Sequence, residues 1–183
     1  SKHAKVPENG NTALISAAEN EKSRVCQMLL EAKASVNEKN NVGKTALIIS
    51  AEKGYAEVCQ ILLQGGANIE AKDENGNTAL ISAAENEKSR VCQMLLEAKA
   101  SVNEKNNFGY FPLLFAAQRK NVDLCQILLK AKADPDSTLE EEGSTALHYA
   151  AMNGGDAVCH VLLEAHANAN LREKEYGYNA LMV

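Results

Sequence analysis

The sequence ENGNTALISAAENEKSRVCQMLLEAKASVNEKNN, from Glu8 to Asn41, returns without a single change from Glu74 to Asn107. The copies are offset by 66 residues. Halfway between them Gly43-Lys44-Thr45-Ala46-Leu47 repeats the skeleton of Gly10-Asn11-Thr12-Ala13-Leu14, so the underlying period is 33. A fixed period of that size marks an array of small units, each burying its apolar face against its neighbours. Within one unit, Asn9-Gly10-Asn11 has the chemistry of a turn. Thr12 then stands where it can satisfy free amides at a helix start, and Ala13, Leu14, Ala17 and Ala18 give a narrow apolar face of helical spacing. After the polar Glu19-Asn20-Glu21-Lys22, a broader helical pattern runs through Val25, Cys26, Met28, Leu29 and Leu30. The unit is predicted to be a helical hairpin, and the stretch from Ala34 to Val42 is long enough to project as a loop before the next one.

Composition fits a seam of thin, closely stacked helices rather than one central core. Of 183 residues, 45% are hydrophobic but only 4% aromatic, with no tryptophan, so Leu, Ile, Val, Ala and Cys must fill the interior. A net charge of −5 argues against phosphate neutralisation or attraction to anionic lipid. There is no apolar run long enough to span a bilayer, and no apolar segment follows Ser1-Lys2-His3-Ala4-Lys5 as a signal peptide would require.

The second unit is the most regular. Its Gly43-x-Thr45-Ala46-Leu47, Gly54 and Leu62-Leu63-x-Gly65-Gly66-Ala67-Asn68 resemble the ankyrin repeat. The resemblance implies an all-α ankyrin-repeat solenoid of stacked helix-turn-helix units with projecting β-hairpin-like loops. On that reading residues 1–7 are a tail or the remnant of a preceding repeat. Units occupy 8–39, 40–72, 73–105, 106–138 and 139–172, and a partial sixth at 173–183 stops inside its first helix. The array is expected to be cut from a longer one, because unit one lacks a polar outer face. Departures from the family pattern carry expectations of their own. The histidine after the Thr-x-Leu start is kept only as His148, and Ile15, Ile48, Ile81 and Leu114 replace it elsewhere. The glycine ending the second helix becomes Lys33, Lys99, Lys132 and His166, which should cost about 1 kcal/mol each if the left-handed turn is retained. One extra residue falls in each of the loops Thr138 to Glu142 and Arg172 to Tyr176, so those loops should differ in shape from the first three.

Chemistry finds no foothold in this pattern. Cys26, Cys59, Cys92, Cys125 and Cys159 recur at one repeat position and form a ladder of buried thiols beside Val25 and its equivalents, not a disulfide or zinc cluster. Five unpaired thiols favour a reducing, intracellular and cytoplasmic setting. His148, His160 and His166 belong to different parts of a unit and do not converge as metal ligands do. No catalytic, cofactor or metal residue is assigned, and no cofactor is expected. Glu140-Glu141-Glu142 is either a contact for a cation or a basic peptide, or solvated surface, as charge runs on loops usually are.

What remains is surface. The resemblance implies a non-catalytic scaffold that binds a protein or peptide partner through loop tips and the exposed face of the first helices. The alternative is a targeting or regulatory segment of a larger enzyme or channel. No nucleic acid and no membrane insertion are expected, and the chain should be a monomer. By repeat alignment the partner positions are Val42, Lys44, Glu52, Lys53, Glu74, Asn77, Glu85, Asn86, Phe108, Tyr110, Gln118, Arg119, Ser144, Met152 and Asn153. Unit four stands out, because the identical copies end at Asn41 and Asn107 and Phe108-Gly109-Tyr110-Phe111 then replaces Val42-Gly43-Lys44-Thr45. Phe111 and Phe115 are expected to fill space between units, whereas Phe108 and Tyr110 are expected at the loop tip with no neighbour in the core.

Overall fold

The computed structural model describes residues 9–174 and 178–181. Its helices among the described residues are α1 (Ala13–Glu19), α2 (Ser23–Glu31), α3 (Ala46–Lys53), α4 (Ala56–Gln64), α5 (Ala79–Glu85), α6 (Ser89–Glu97), α7 (Pro112–Gln118), α8 (Val122–Lys130), α9 (Ala146–Met152) and α10 (Asp156–Glu164). They pack as five hairpins, each stacked on the next. Four of the five first helices start in the same way. The hydroxyls of Thr12, Thr45, Thr78 and Thr145 accept the amide hydrogen three residues on, at 3.2 to 3.4 Å. Helix α7 has no such cap and instead begins with Pro112, whose missing amide hydrogen removes one group that would need a partner. His148 adds a second cap on α9: its Nδ1 accepts the backbone amide of Thr145 at 3.2 Å.

Small side chains set the shape. Ala17, Ala18, Ala51, Ala83, Ala84, Ala116, Ala117 and Ala150 are buried on the first helices, which therefore approach one another more closely than the second helices do. A stack whose inner row is narrower than its outer row curves, and the first helices line its concave side. Larger residues of the second helices, among them Val58, Leu62, Val91, Leu95, Leu124, Leu128, Val158 and Leu162, close the seam from behind.

The turn after each second helix is left-handed in every unit, with φ of 65° at Lys33, 85° at Gly66, 72° at Lys99, 70° at Lys132 and 65° at His166. A Cβ placed on Gly66 would meet nothing within 4 Å, so a side chain here incurs backbone strain but no clash. The loop tips behave differently. On Gly10 and Gly76, at φ of 70° and 78°, a Cβ would lie 2.2 and 2.4 Å from the Oδ1 of Asn41 and Asn107. Glycine is required there by both angle and space.

Successive loops are tied together by backbone bonds: the amides of Asn41, Glu74, Asn107 and Lys174 donate to the carbonyls of Asn9, Val42, Asn75 and Glu142. The first three loops close with a bond from the glycine amide to the carbonyl three residues back, as in Gly43 to Asn40, whereas the longer fifth-unit loop closes Gly143 onto Leu139. Thr138 and Thr145 form an isolated antiparallel bridge there, and no strand occurs among the described residues. The insertion thus widens the loop as the spacing predicts. The corresponding expectation for Arg172 to Tyr176, and the sixth-unit start, fall partly outside the described residues.

Two expectations of burial fail, one in unit one and one in unit five. Val25 and Met28 were placed on a buried apolar face, yet they are 45% and 58% exposed, because no described element covers that side of α2. Cys159 is only partly buried, while the other four cysteines are fully buried. Burial raises all five thiols above their ordinary value, to about 11 at Cys59 and about 12 at Cys92 and Cys125. Cys26 has no more accessible surface than Cys92 but is raised less, because fewer protein atoms surround α2.

Candidate protein-binding surface

In units two, three and four one side chain holds the loop tip. Asn40 Oδ1 accepts the amides of Val42 and Lys44, Asp73 Oδ1 those of Asn75 and Asn77, and Asn106 Oδ1 those of Phe108 and Tyr110, at 2.8 to 3.1 Å. These residues stand 33 apart and place the side chain four positions on against the end of its own first helix. A row of crossing contacts results, from loop to helix, eight residues apart. In unit one Asn11 Nδ2 donates to Glu19 at 2.9 Å, and in unit two Lys44 Nζ pairs with Glu52 at 2.6 Å.

Unit three breaks the row. Asn77 Oδ1 accepts from Asn106 Nδ2 at 2.8 Å, just as Asn11 Oδ1 accepts from Asn40 Nδ2 at 3.0 Å, but Asp73, where unit one has Pro7, accepts from Asn77 Nδ2 through Oδ2 at 3.4 Å. The Asn77 side chain is thereby drawn into the loops, and the exposed Glu85 carboxylate takes no hydrogen bond or ion pair from any described residue. In unit four the same row holds Tyr110 and Gln118.

Phe108 crowns this region, 63% exposed at its loop tip. Tyr110 corrects the expectation that it lacks a core neighbour: it is half-buried and stacks on Phe115, with ring centroids 5.3 Å apart and 19° between planes. Phe111 and Phe115 are buried between units, as expected. Lys105 Nζ lies 5.8 Å from the Phe111 ring centroid and donates to the carbonyl of Thr138 at 2.8 Å. The Tyr149 hydroxyl donates to Glu142 at 2.8 Å; burial first, and then this acceptor and its charge, push the phenol well above its ordinary value.

Eight of the forecast residues line one open depression of about 540 Å³: Lys44, Glu52, Asn77, Glu85, Asn86, Phe108, Tyr110 and Gln118. The others lie outside it. Val42 and Glu74 meet at neighbouring loop tips through a backbone bond, and Lys53 and Arg119 are exposed at the ends of their helices. Met152 is exposed on α9, Asn153 accepts from Lys120 Nζ through its carbonyl at 2.9 Å, and Ser144, expected at the surface, is buried. Asp73, Asn75, Ser82, Asn106 and Phe115 also line the depression and were not forecast. The recurrence of Asn40, Asp73 and Asn106 at the repeat spacing is the signal that could have found two of them.

A larger cleft, about 1020 Å³, runs between α4 and α6 on the outer side. Smaller clefts of the same kind separate α2 from α4 and α6 from α8. Because they recur between units, they follow from the splay of the second helices, whereas the loop-side depression is lined by residues of units two to four. Among the described residues no group of three or more His, Cys, Asp or Glu side chains could hold a metal ion, and no helix is long and apolar enough to cross a membrane.

A comparison with curated protein sequences gives no match. Among solved structures the ankyrin repeat domain of Bcl-3, described as a unique member of the IkappaB protein family, is similar with a TM-score of 0.88 and 26% identity over 95% of this chain and 78% of that one. The family model for ankyrin repeats in three copies matches residues 14–106, 62–138 and 113–183. With ten paired helices among the described residues, in a 33-residue period, and model matches across nearly its whole length, the chain belongs to the ankyrin repeat family.

Proposed function

We propose that the chain is a non-catalytic scaffold that binds a protein partner through the loop tips and first-helix ends of units two to four. Ankyrin repeats are generally protein–protein interaction modules, and the similar solved structure is itself an ankyrin repeat domain. The observation that carries the reading is the convergence of eight surface positions on one depression beside an exposed phenylalanine. An exposed aromatic next to polar groups is the composition of an interface hot spot. The acidic net charge argues for protein rather than nucleic acid or anionic membrane as the partner, and the five free thiols support a reducing intracellular setting for it. On this reading the chain is a monomer in isolation.

The test is Phe108→Ala, alone and beside Tyr110→Ala. Phe108→Ala should leave melting nearly unchanged, because the ring is mostly in solvent, and should weaken a captured partner by at least about 2 kcal/mol. Tyr110→Ala should cost about 1 kcal/mol of stability through loss of its ring stacking. Identical capture by the parent and Phe108→Ala, measured at equal folded fraction, would contradict the site.

A further inference from the structure

We infer that the partner segment is a basic peptide, one whose Lys or Arg side chain is received by Glu85 while an apolar neighbour covers Phe108. The inference rests on the binding surface proposed above and names the chemistry it selects. Charge complementarity carries it. Of the carboxylates in the loop-to-helix row, Glu19 is satisfied by Asn11 and Glu52 by Lys44, while Glu85 alone takes nothing from the described residues and lines the depression beside Phe108. The far side of Phe108 is acidic too. A second depression of about 310 Å³ is lined by Phe108, Tyr110 and the run Glu140-Glu141-Glu142. There Glu142 accepts from Tyr149 and Glu140 lies 3.9 Å from Lys105, but the Glu141 carboxylate has no partner among the described residues.

Phe108 is thus a ridge between two acidic hollows. The nearest cations are engaged: Lys44 by Glu52, Lys105 by the Thr138 carbonyl and Lys174 by the Glu140 carbonyl. An acidic partner would meet like charge on both sides, which costs specificity, and a purely apolar one would cover carboxylates without compensating them. A basic side chain over an aromatic face also gains from the ring's quadrupole.

The probe is a positional-scanning library of short acetylated and amidated peptides with Arg or Lys, Asp or Glu, or Leu fixed at each position in turn, screened against the full chain. Arg and Lys should be enriched beside an apolar residue, and binding should weaken as salt is raised. Glu85→Gln should lower the affinity of the selected peptide about three- to tenfold, the range for an exposed charge-assisted contact. Glu19→Gln, the same residue in the identical copy, should change nothing. Asp73→Asn installs the residue that units two and four already carry, so folding is preserved. It should also weaken binding, because Asn77 Nδ2 is released to Glu85 as Asn11 is to Glu19. Selected peptides without Arg or Lys that still require Phe108 would overturn the basic specificity and leave the surface standing. Peptides indifferent to both Glu85→Gln and Phe108→Ala, or no binder tighter than about 1 mM, would overturn both.

Discussion

Units one and three contain the same 34 residues, and the fold uses them differently. Val91 is 1% exposed, against 45% for Val25, and Leu95 is fully buried where Leu29 is partly covered. Ala79 is 1% exposed while Ala13 is in solvent. Cys92 is raised to about 12, and Cys26 by less. Polar contacts diverge in the same way: Glu19 is bonded to Asn11, whereas Asn77 turns to Asp73 and leaves Glu85 open. Local features do not diverge. Both copies cap the first helix with threonine and hold a lysine in the left-handed turn, at 65° and 72°. Sequence within a unit dictates the hairpin; the neighbouring units dictate burial, acidity and which side chains are available to a partner.

The largest way to break that contrast is in the seam. Leu95→Ala should destabilise by about 3 kcal/mol, within the range for a fully buried leucine, and Leu29→Ala by about 1 kcal/mol. Equal losses in urea denaturation would mean that α2 is covered as α6 is. The alkaline limb comes next. A thiol whose folded value lies above its unfolded one binds its proton more tightly in the native state, so its contribution is complete below the ordinary value of 9.0 and is lost as pH rises toward about 12. Between pH 9 and 11, Cys92→Ala should remove on the order of 1 to 2 kcal/mol of the parent's pH dependence, and Cys26→Ala should remove less. The smallest effect should be the same in both copies. Lys33→Gly and Lys99→Gly relieve the same backbone strain and should each stabilise by about 0.5 to 1 kcal/mol, and unequal gains would show that the neighbours reach the turn as well.

The hairpins were legible because their signals are local: threonine caps, a narrow Ala face and a broad Leu face repeat at a fixed spacing, and ten helices form where those patterns run. All five loop-tip glycines have positive φ, and at Gly10, Gly43 and Gly76 space demands glycine as well, while the helix-end position drifts to Lys or His because space does not. Repeat alignment also found eight lining residues of the depression, since equivalent positions share a face. It could not show that Val25 and Met28 stay exposed, because that depends on what stands beside α2, nor that Tyr110 lies on Phe115, because only unit four has an aromatic pair there. Glu85 was named as a surface position without its distinguishing property. Its lack of a partner follows from Asp73 competing for Asn77, a contest between three side chains that no spacing rule expresses.

Amide hydrogen exchange of the two copies tests most directly the claim that neighbours, not the unit's own residues, decide its behaviour. It should be resolved by NMR, because identical segments give peptides of identical mass. Cys26 and Cys92 amides make the same 2.9 Å bond to the preceding lysine carbonyl, so any difference in protection reports context rather than local geometry. The amides from Val91 to Leu95 should exchange at least about tenfold more slowly than those from Val25 to Leu29, the expectation for helices with unequal buried apolar contact. Equal protection in the two copies would contradict the account.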